Sequence, residues 1–161
     1  MKQLHSKWNN RKHPAPQRKE LERFLCRAAL LAGLPDSDWE LELLFTNDRS
    51  MATYNADIVG HEGTTDVITL SWFDDPEGLF PGDPELILIV NPDAAAREGA
   101  ERAESSYSYE LALYLVHGML HAAGEDDLEE ETRKSMRAAE KRVMDQLKLE
   151  FDLEKLFPEN R

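Results

Sequence analysis

Two histidines stand four residues apart inside an apolar run, Leu113-Tyr-Leu-Val-His117-Gly-Met-Leu-His121. The run predicts a helix, and side chains four residues apart lie on one helix face with their Cβ atoms about 6 Å apart. Helical side chains lean toward the N-terminus, so both imidazoles can point at one spot. Metal-binding helices use this spacing, although ordinary core or surface histidines also share it.

A glycine and an aspartate follow the two histidines at spacings that allow the aspartate to lie beside them. Gly124 predicts the end of the helix, because glycine adopts a positive φ at low cost and lets the chain turn back. Asp127, six residues after His121, then comes to lie beside the pair. Two imidazole nitrogens and one carboxylate oxygen, with a fourth position open to water, describe a catalytic zinc site. Two ordinary core or surface histidines without a metal are the alternative.

The composition is that of a globular protein. Hydrophobic residues make up 41% and charged residues 32% of the 161 residues, which predicts a single domain over residues 1–161. Cys26 is the only cysteine. It excludes an internal disulfide and a cysteine zinc cluster, and indicates a reducing, cytoplasmic setting. We expect neither a signal peptide nor a membrane partner, because no apolar run reaches the necessary length.

The charge is distributed unevenly along the chain. The formal net charge of −13 argues against a general nucleic-acid binder and against DNA in particular. Residues 1–28 nevertheless carry +6, which leaves −19 on the remainder. Contact with RNA through the basic segment and a solvated basic arm without a partner are both compatible with this asymmetry. The eight basic residues of the segment are Lys2, Lys7, Arg11, Lys12, Arg18, Lys19, Arg23 and Arg27.

The periodicity of the apolar residues predicts the elements that position the histidines. We predict an α+β fold in which several helices pack against one small sheet of three to four strands. Residues 1–15 are predicted to be a polar, basic arm, and the chain after residue 149 an acidic tail. The predicted helices cover residues 16–32, 92–103, 105–123 and 128–149, with a short helix or turn at 50–54. The predicted strands cover 39–46, 66–72 and 85–90, and loops cover 57–64 and 74–84.

These motifs and their order resemble the YbeY-type single-strand endoribonucleases over about residues 20–148. The family pattern H-G-x-L-H-x-x-G-x-D-H resembles the stretch from His117 to Asp127. Asn55 precedes Thr65-Asp66-Val67 at the family's ten-residue spacing. Further similar positions are Gly82-Asp83, Met136 and Glu140.

The resemblance implies a zinc-dependent hydrolase that cleaves single-stranded RNA in ribosomal RNA maturation and ribosome quality control. It implies a mixed sheet packed against helices, with a metal helix like that of the zincins near the mouth of a cleft. One Zn²⁺ per chain would be held by His117, His121 and Asp127. The implied partners are ribosomal RNA or the small ribosomal subunit.

Three positions depart from the family pattern. The family's third ligand is a histidine, and Asp127 replaces it here; a carboxylate is an accepted zinc ligand but also suits Mn²⁺ or Fe²⁺. The family's arginine, which contacts the scissile phosphate, corresponds to Val59. His61 or Arg49 is the candidate replacement, and we take His61 as the candidate catalytic residue. Third, the family opens with a strand, which the polar residues 1–13 do not predict.

Two other functions stay open from the sequence. The metal motif also resembles that of metalloproteases, H-E-x-x-H-x-x-G-x-x-H/D, but Gly118 replaces the catalytic glutamate of those enzymes. Glu110, two turns upstream, is distant from that position on the predicted helix. The second alternative is a non-catalytic, metal-binding and ribosome-associated member of the endoribonuclease family, which Asp127 and Val59 favour.

Overall fold

The structure is a computed structural model that describes residues 1–159. Its strands are β1 Gln3–Trp8, β2 Glu40–Phe45, β3 Val67–Ser71 and β4 Leu86–Val90. Its α-helices are α1 Arg18–Ala32, α2 Asp48–Tyr54, α3 Pro92–Glu101, α4 Tyr107–Ala122, α5 Glu130–Glu150 and α6 Leu153–Leu156. A π-helical turn, Asn55–Val59, continues α2 where the sequence predicted a loop, and a 3₁₀ turn, Pro76–Gly78, lies before β4.

The strands form one mixed sheet in the order β1-β2-β4-β3. The strands β1, β2 and β4 run parallel, and β3 runs antiparallel to β4 at one edge. This architecture confirms the predicted α+β fold with a small mixed sheet. The strand β3 is an edge strand, and its outer side pairs with no other strand of residues 1–159.

The two faces of the sheet are covered unequally. Alternate residues of β2 and β4 pack into the main core with helices α1, α4, α5 and α6. On the opposite face, Met51 of α2 packs with Ile68 and Ile89 in a smaller cluster. The strand β4 therefore has apolar neighbours on both faces, which explains its uninterrupted apolar sequence. No helix within residues 1–159 is both long and apolar enough to cross a membrane.

The N-terminal segment forms a strand, so the prediction that residues 1–13 supply none is wrong. Leu4 is buried, whereas Gln3, His5 and Lys7 are exposed on the other face of β1. An edge strand accepts this many polar residues because one side of it faces solvent, and a lysine there discourages pairing with other chains. With so few large apolar residues the alternation was too weak to recognise.

The predicted acidic tail is also partly wrong, because it contains the short helix α6. Leu153, Leu156 and Phe157 are buried in the main core. The Ser108 hydroxyl of α4 donates a hydrogen bond to the carbonyl oxygen of Phe157 over 2.7 Å. This segment therefore supports the first turn of the helix that carries the histidines.

Close packing holds α4 against the β3 side of the sheet. The Ser106 side chain caps the helix by accepting a hydrogen bond from the Tyr109 amide. A Cβ atom at Gly118 would lie 2.6 Å from Leu88 Cδ2 and 3.0 Å from Thr69 Oγ1. Only glycine allows this approach without displacement of its neighbours, so Gly118 brings the histidine helix against β3 and β4.

Candidate metal centre

The structure brings His117, His121 and Asp127 together at the end of α4. The Asp127 Oδ2 atom lies 3.5 Å from His117 Nε2 and 3.4 Å from His121 Nε2. The two imidazole rings are nearly perpendicular, at 85°, with their centroids 4.5 Å apart. One ligand atom from each residue lies within 4.8 Å of the other two, so the group could hold a metal ion.

The helix end produces this convergence as the sequence predicted. Gly124 has a φ of +107°. The Gly124 and Glu125 amides donate to the carbonyl oxygens of His121 and Leu120 over 3.0 and 2.9 Å, respectively. These bonds close the last turn of α4 and reverse the chain direction. Asp127 is thereby returned toward the imidazoles three residues later.

The spacing of the ligand atoms fits a small tetrahedral cation. Ligands at about 2.0–2.2 Å from zinc stand roughly 3.3–3.6 Å apart at the corners of a tetrahedron. The two distances from Asp127 Oδ2, 3.5 and 3.4 Å, fall in that interval. Two of the three ligand-to-ligand distances therefore suit a cation of this size, and all three lie within 4.8 Å.

Hydrogen bonds at the other ring nitrogens set the tautomer of both histidines. His117 Nδ1 lies 2.7 Å from Glu140 Oε1 of α5, and His121 Nδ1 lies 3.0 Å from the carbonyl oxygen of Glu125. An ionised carboxylate and a carbonyl can only accept, so each Nδ1 must carry the proton. When the rings are neutral, both Nε2 atoms direct a lone pair at Asp127 Oδ2. Three facing acceptors favour a positive charge between them, which a proton or a divalent cation can supply.

The pKa of His117 is raised above its ordinary value. Burial of the ring disfavours the imidazolium, but this effect is outweighed by the hydrogen bond and negative charge of Glu140 and by the charges of Asp66 and Asp127. The same negative surroundings that stabilise a proton on the ring also stabilise a bound cation. The electrostatics of the site are therefore those of a cation-binding centre.

The three side chains open onto a cleft of about 590 Å³ between the π-helical turn, β3 and α4. Ile58 and Val59 form an exposed apolar wall, with 43% and 44% of their surface accessible. Asp66 and His61 line the cleft too. Among residues 1–159, no lysine or arginine lines it. The remaining lining residues are Asn55, Thr65, Val67, Ile68, Thr69, Leu70, Ser71 and Ala122.

The structure separates the two candidate replacements for the family's arginine. His61 lies in the wall of the cleft, exposed to solvent, whereas Arg49 does not line it. The loop that carries His61 is fixed by Asn55, whose carbonyl oxygen accepts from the amides of Gly60 and His61 over 2.9 and 3.2 Å. The Asn55 side chain also donates to the Gly63 carbonyl oxygen over 2.9 Å. Asn55 therefore shapes the cleft wall.

Two features weaken the metalloprotease alternative. Gly118, at the position of the protease glutamate, faces Leu88 and Thr69, with no room for a side chain. Glu110 is buried at the start of α4, where Arg102 and Ser105 donate hydrogen bonds to its carboxylate. It does not line the cleft, so neither position supplies the general base that peptide hydrolysis would need.

Sequence reasoning missed the role of Glu140. The resemblance marked this position, but spacing along the chain did not reveal a contact with His117, 23 residues away. A signal was present, because Met136 and Ala139 of α5 face the core and a glutamate next to them breaks the apolar pattern. The carbonyl oxygen of Glu125 carries no sequence signal, since every residue has one.

Comparisons with known proteins identify the family of this chain. The family model described as Endoribonuclease YbeY matches residues 3–148. The endoribonuclease YbeY of Rhizobium meliloti is 34% identical over 116 residues, which cover 72% of this chain and 68% of that protein. The endoribonuclease YbeY of Enterococcus faecalis is 30% identical over 145 residues, which cover 83% of this chain and 90% of that one.

A solved structure supports the fold. The solution structure of TM1509 from Thermotoga maritima superposes with a TM-score of 0.56 over 98% of this chain and 99% of that one. The sequence identity is 19%, so this likeness concerns the fold alone. The match to the family model and the identity to the curated relatives show that the chain belongs to the endoribonuclease YbeY family.

Proposed function

We propose that this protein is a metal-dependent endoribonuclease that cleaves single-stranded RNA. Family membership supports the activity, and the names of the relatives give RNA as the substrate class. The observation that carries the proposal is the meeting of His117, His121 and Asp127 in an open cleft. We assign one Zn²⁺ per chain to this site, because the ligand spacing suits zinc; the carboxylate also permits Mn²⁺ or Fe²⁺.

The residues of the site have separate tasks in this proposal. A bound divalent cation supplies Lewis-acid chemistry, polarising a phosphoryl oxygen and acidifying a water molecule. His117, His121 and Asp127 hold it, and Glu140 fixes the orientation of the His117 ring. We assign to His61 the task of donating a hydrogen bond to the phosphate being cleaved, and its position in the wall of the cleft supports this role. Ile58 and Val59 give one wall of the cleft an apolar surface.

The standard test combines metal analysis with an RNA cleavage assay. Wild-type protein is expected to carry about one metal ion per chain and to cleave single-stranded RNA. The variant His121→Ala should lose both properties. His5→Ala, which removes an exposed histidine of β1, is the matched control and should keep both. Equal metal content in wild type and His121→Ala, or full cleavage by chelator-treated wild type, would contradict the proposal.

The cellular role that we propose is ribosomal RNA maturation and ribosome quality control in the cytoplasm. The sequence resemblance supports this role, with ribosomal RNA or the small ribosomal subunit as the partner. The test is to compare the ends of ribosomal RNA in cells that lack the protein, complemented with wild type or with His121→Ala. Precursor ends should accumulate unless the wild type is supplied. Mature ends in the uncomplemented cells would refute this role.

One observation favours a second candidate function, a non-catalytic metal-binding protein associated with the ribosome. Within residues 1–159 the cleft has no lysine or arginine side chain to hold a phosphate, and Val59 occupies its wall instead. Cleavage assays with Zn²⁺ and with Mn²⁺ separate the two functions, with His117→Ala as the background. A wild type that binds metal and RNA but cleaves no faster than His117→Ala would be a binding protein.

A further inference from the structure

The outer edge of β3 carries backbone groups that the sheet does not use. The Asn91 amide donates to the Asp66 carbonyl oxygen, and the Trp72 amide donates to that of Glu85. In an antiparallel pair, alternate residues direct both their N–H and C=O toward the partner strand. Residues 66, 68, 70 and 72 therefore bond to β4. The N–H and C=O groups of Val67, Thr69 and Ser71 point away from the sheet.

These groups border the proposed metal centre. Val67, Thr69 and Ser71 line the same cleft as His117, His121 and Asp127. The Val67 amide already donates to the Asp66 side chain over 2.7 Å. Thr69 and Ser71 are thus left with a donor and an acceptor each along the open edge. Unused backbone groups at a sheet edge are a template for an added hydrogen-bonding partner.

The charge of the cleft decides what kind of contact a nucleic acid can make there. The cleft lining includes the carboxylates of Asp66 and Asp127, and within residues 1–159 it includes no lysine or arginine. A phosphate away from the metal would therefore meet no side-chain cation. The favourable contacts left for the neighbouring nucleotides are with their uncharged groups, the ribose hydroxyls and the bases, and the bases present the larger set of donors and acceptors.

The backbone edge matches the hydrogen-bonding edge of an unpaired base. The N–H and C=O of one residue stand side by side as a donor and an acceptor, and the Watson–Crick edge of each RNA base carries an adjacent acceptor and donor. Thr69 and Ser71 are two residues apart, about 6.8 Å along the strand. This spacing is about twice the 3.4 Å between stacked bases, so neighbouring bases must unstack to reach both residues. In a duplex the Watson–Crick edges are bonded to the other strand, so only unpaired bases can offer them to this edge.

We propose that the outer edge of β3 binds unpaired bases next to the scissile phosphate through the backbone N–H and C=O groups of Thr69 and Ser71. This inference rests on the proposed endoribonuclease function and gives that site a means of selecting single-stranded RNA. Because the four bases all offer an adjacent donor and acceptor, the edge discriminates by strandedness rather than by sequence.

Proline substitution tests the backbone donor directly. Ser71→Pro removes an N–H that points away from β4, a position at which an edge strand accepts proline. Its affinity is compared with that of Ser71→Ala, which keeps the N–H, using metal-loaded protein and a 2′-O-methyl oligoribonucleotide. We expect Ser71→Pro to bind about three- to tenfold more weakly than Ser71→Ala, the loss of one net hydrogen bond. An oligonucleotide with abasic sites in its central positions should bind the two variants equally.

Amide hydrogen exchange in the wild type gives a second readout that does not depend on folding of the proline variant. Binding of the oligonucleotide should slow exchange at the Thr69 and Ser71 amides. The Ile68 and Leu70 amides, which bond to β4, are the internal control and should be protected with and without the ligand.

Three outcomes would overturn the inference. The first is equal affinity of Ser71→Pro and Ser71→Ala for the intact oligonucleotide, and the second is unchanged exchange at Thr69 and Ser71. The third is protection of these amides by an extended peptide but not by the oligonucleotide, which would assign the edge to a peptide. If wild type cleaves RNA in any of these cases, only the inference fails; if wild type neither binds nor cleaves RNA, the proposed function fails as well.

Discussion

Replacement of Glu140 tests the organisation of the metal centre most directly, because it changes no proposed ligand. The Glu140 carboxylate lies 2.7 Å from His117 Nδ1, and its side chain is only 18% exposed. A hydrogen bond to a charged partner contributes about 1.5–3 kcal/mol, against about 0.5–1.5 kcal/mol for a neutral pair. Glu140→Gln keeps the shape and removes the charge, so it should lose about 1–1.5 kcal/mol of metal binding. Glu140→Ala loses the whole bond.

These free energies predict a graded series of metal affinities. At about 1.4 kcal/mol per factor of ten, Glu140→Gln should bind the metal roughly five- to tenfold more weakly than wild type. Glu140→Ala should bind it about 10- to 100-fold more weakly, the usual cost of removing the partner of a metal-bound histidine. The affinity is measured by competition with a chelating indicator at constant pH. Glu131→Gln, an exposed glutamate at the start of α5, is the matched control.

The outcome also distinguishes the charge of Glu140 from its packing. Equal weakening by glutamine and alanine would show that the negative charge carries the whole effect, whereas weakening by alanine alone would show that hydrogen-bond geometry suffices without the charge. Wild-type affinity in both variants, with thermal unfolding showing that both are folded, would refute the argument that Glu140 orients His117. Cleavage of RNA at saturating metal should recover much of its rate in Glu140→Gln, because the three proposed ligands are intact.

Four further substitutions test the supports of the site. Gly124→Ala and Gly33→Ala should each lower the free energy of unfolding by about 1–2 kcal/mol, because both glycines end a helix at a positive φ, +107° and +92° respectively. Metal titration should show weaker binding only for Gly124→Ala. Gly118→Ala should lower the free energy of urea unfolding by about 1–2 kcal/mol through overpacking, and an unchanged value would mean that α4 moves freely. Arg102→Ala should lower the free energy of unfolding by about 2 kcal/mol, because it leaves the buried Glu110 carboxylate with fewer partners. Thermal unfolding measures this loss, and the metal affinity should not change.

The sequence predicted those elements whose local signals agree with their packing. The helix α4 has a capping serine, an apolar run and a terminal glycine, and each of these devices is present in the structure. The helix α1 likewise ends at Gly33, which has a φ of +92°. The strand β4 is apolar throughout because helices cover both of its faces. In these elements the residue pattern and the tertiary environment require the same conformation.

The terminal elements could not be predicted because their structure depends on distant partners. The strand β1 contributes one fully buried apolar side chain, Leu4, and gains its regular conformation by pairing with β2. The helix α6 is four residues long, too short to show periodicity, and its position is fixed by contact with α4. In both cases the local sequence is polar, and contacts formed by the folded chain decide the outcome.

The proposed metal ligands could be predicted from the local sequence, whereas the residues that contact and support them could not. The three ligands lie within eleven residues, so helix geometry and one glycine were enough to predict their convergence. Glu140 reaches His117 from another helix, and β3 reaches the cleft through the packing of Gly118. Such contacts require knowledge of how elements pack, which local spacing does not contain.

The ligand set has a consequence for the charge of the whole cleft. Two neutral imidazoles and the Asp127 carboxylate leave a bound divalent cation with one net positive charge, and Asp66 in the same cleft offsets it. Long-range electrostatic attraction therefore contributes little to the binding of a polyanion in this cleft. Under the two proposals above, affinity for RNA at the cleft comes from short-range contacts, namely one phosphate at the metal and bases at the β3 edge. It follows that binding at the cleft should depend only weakly on salt, unlike binding through many lysine and arginine contacts to phosphates.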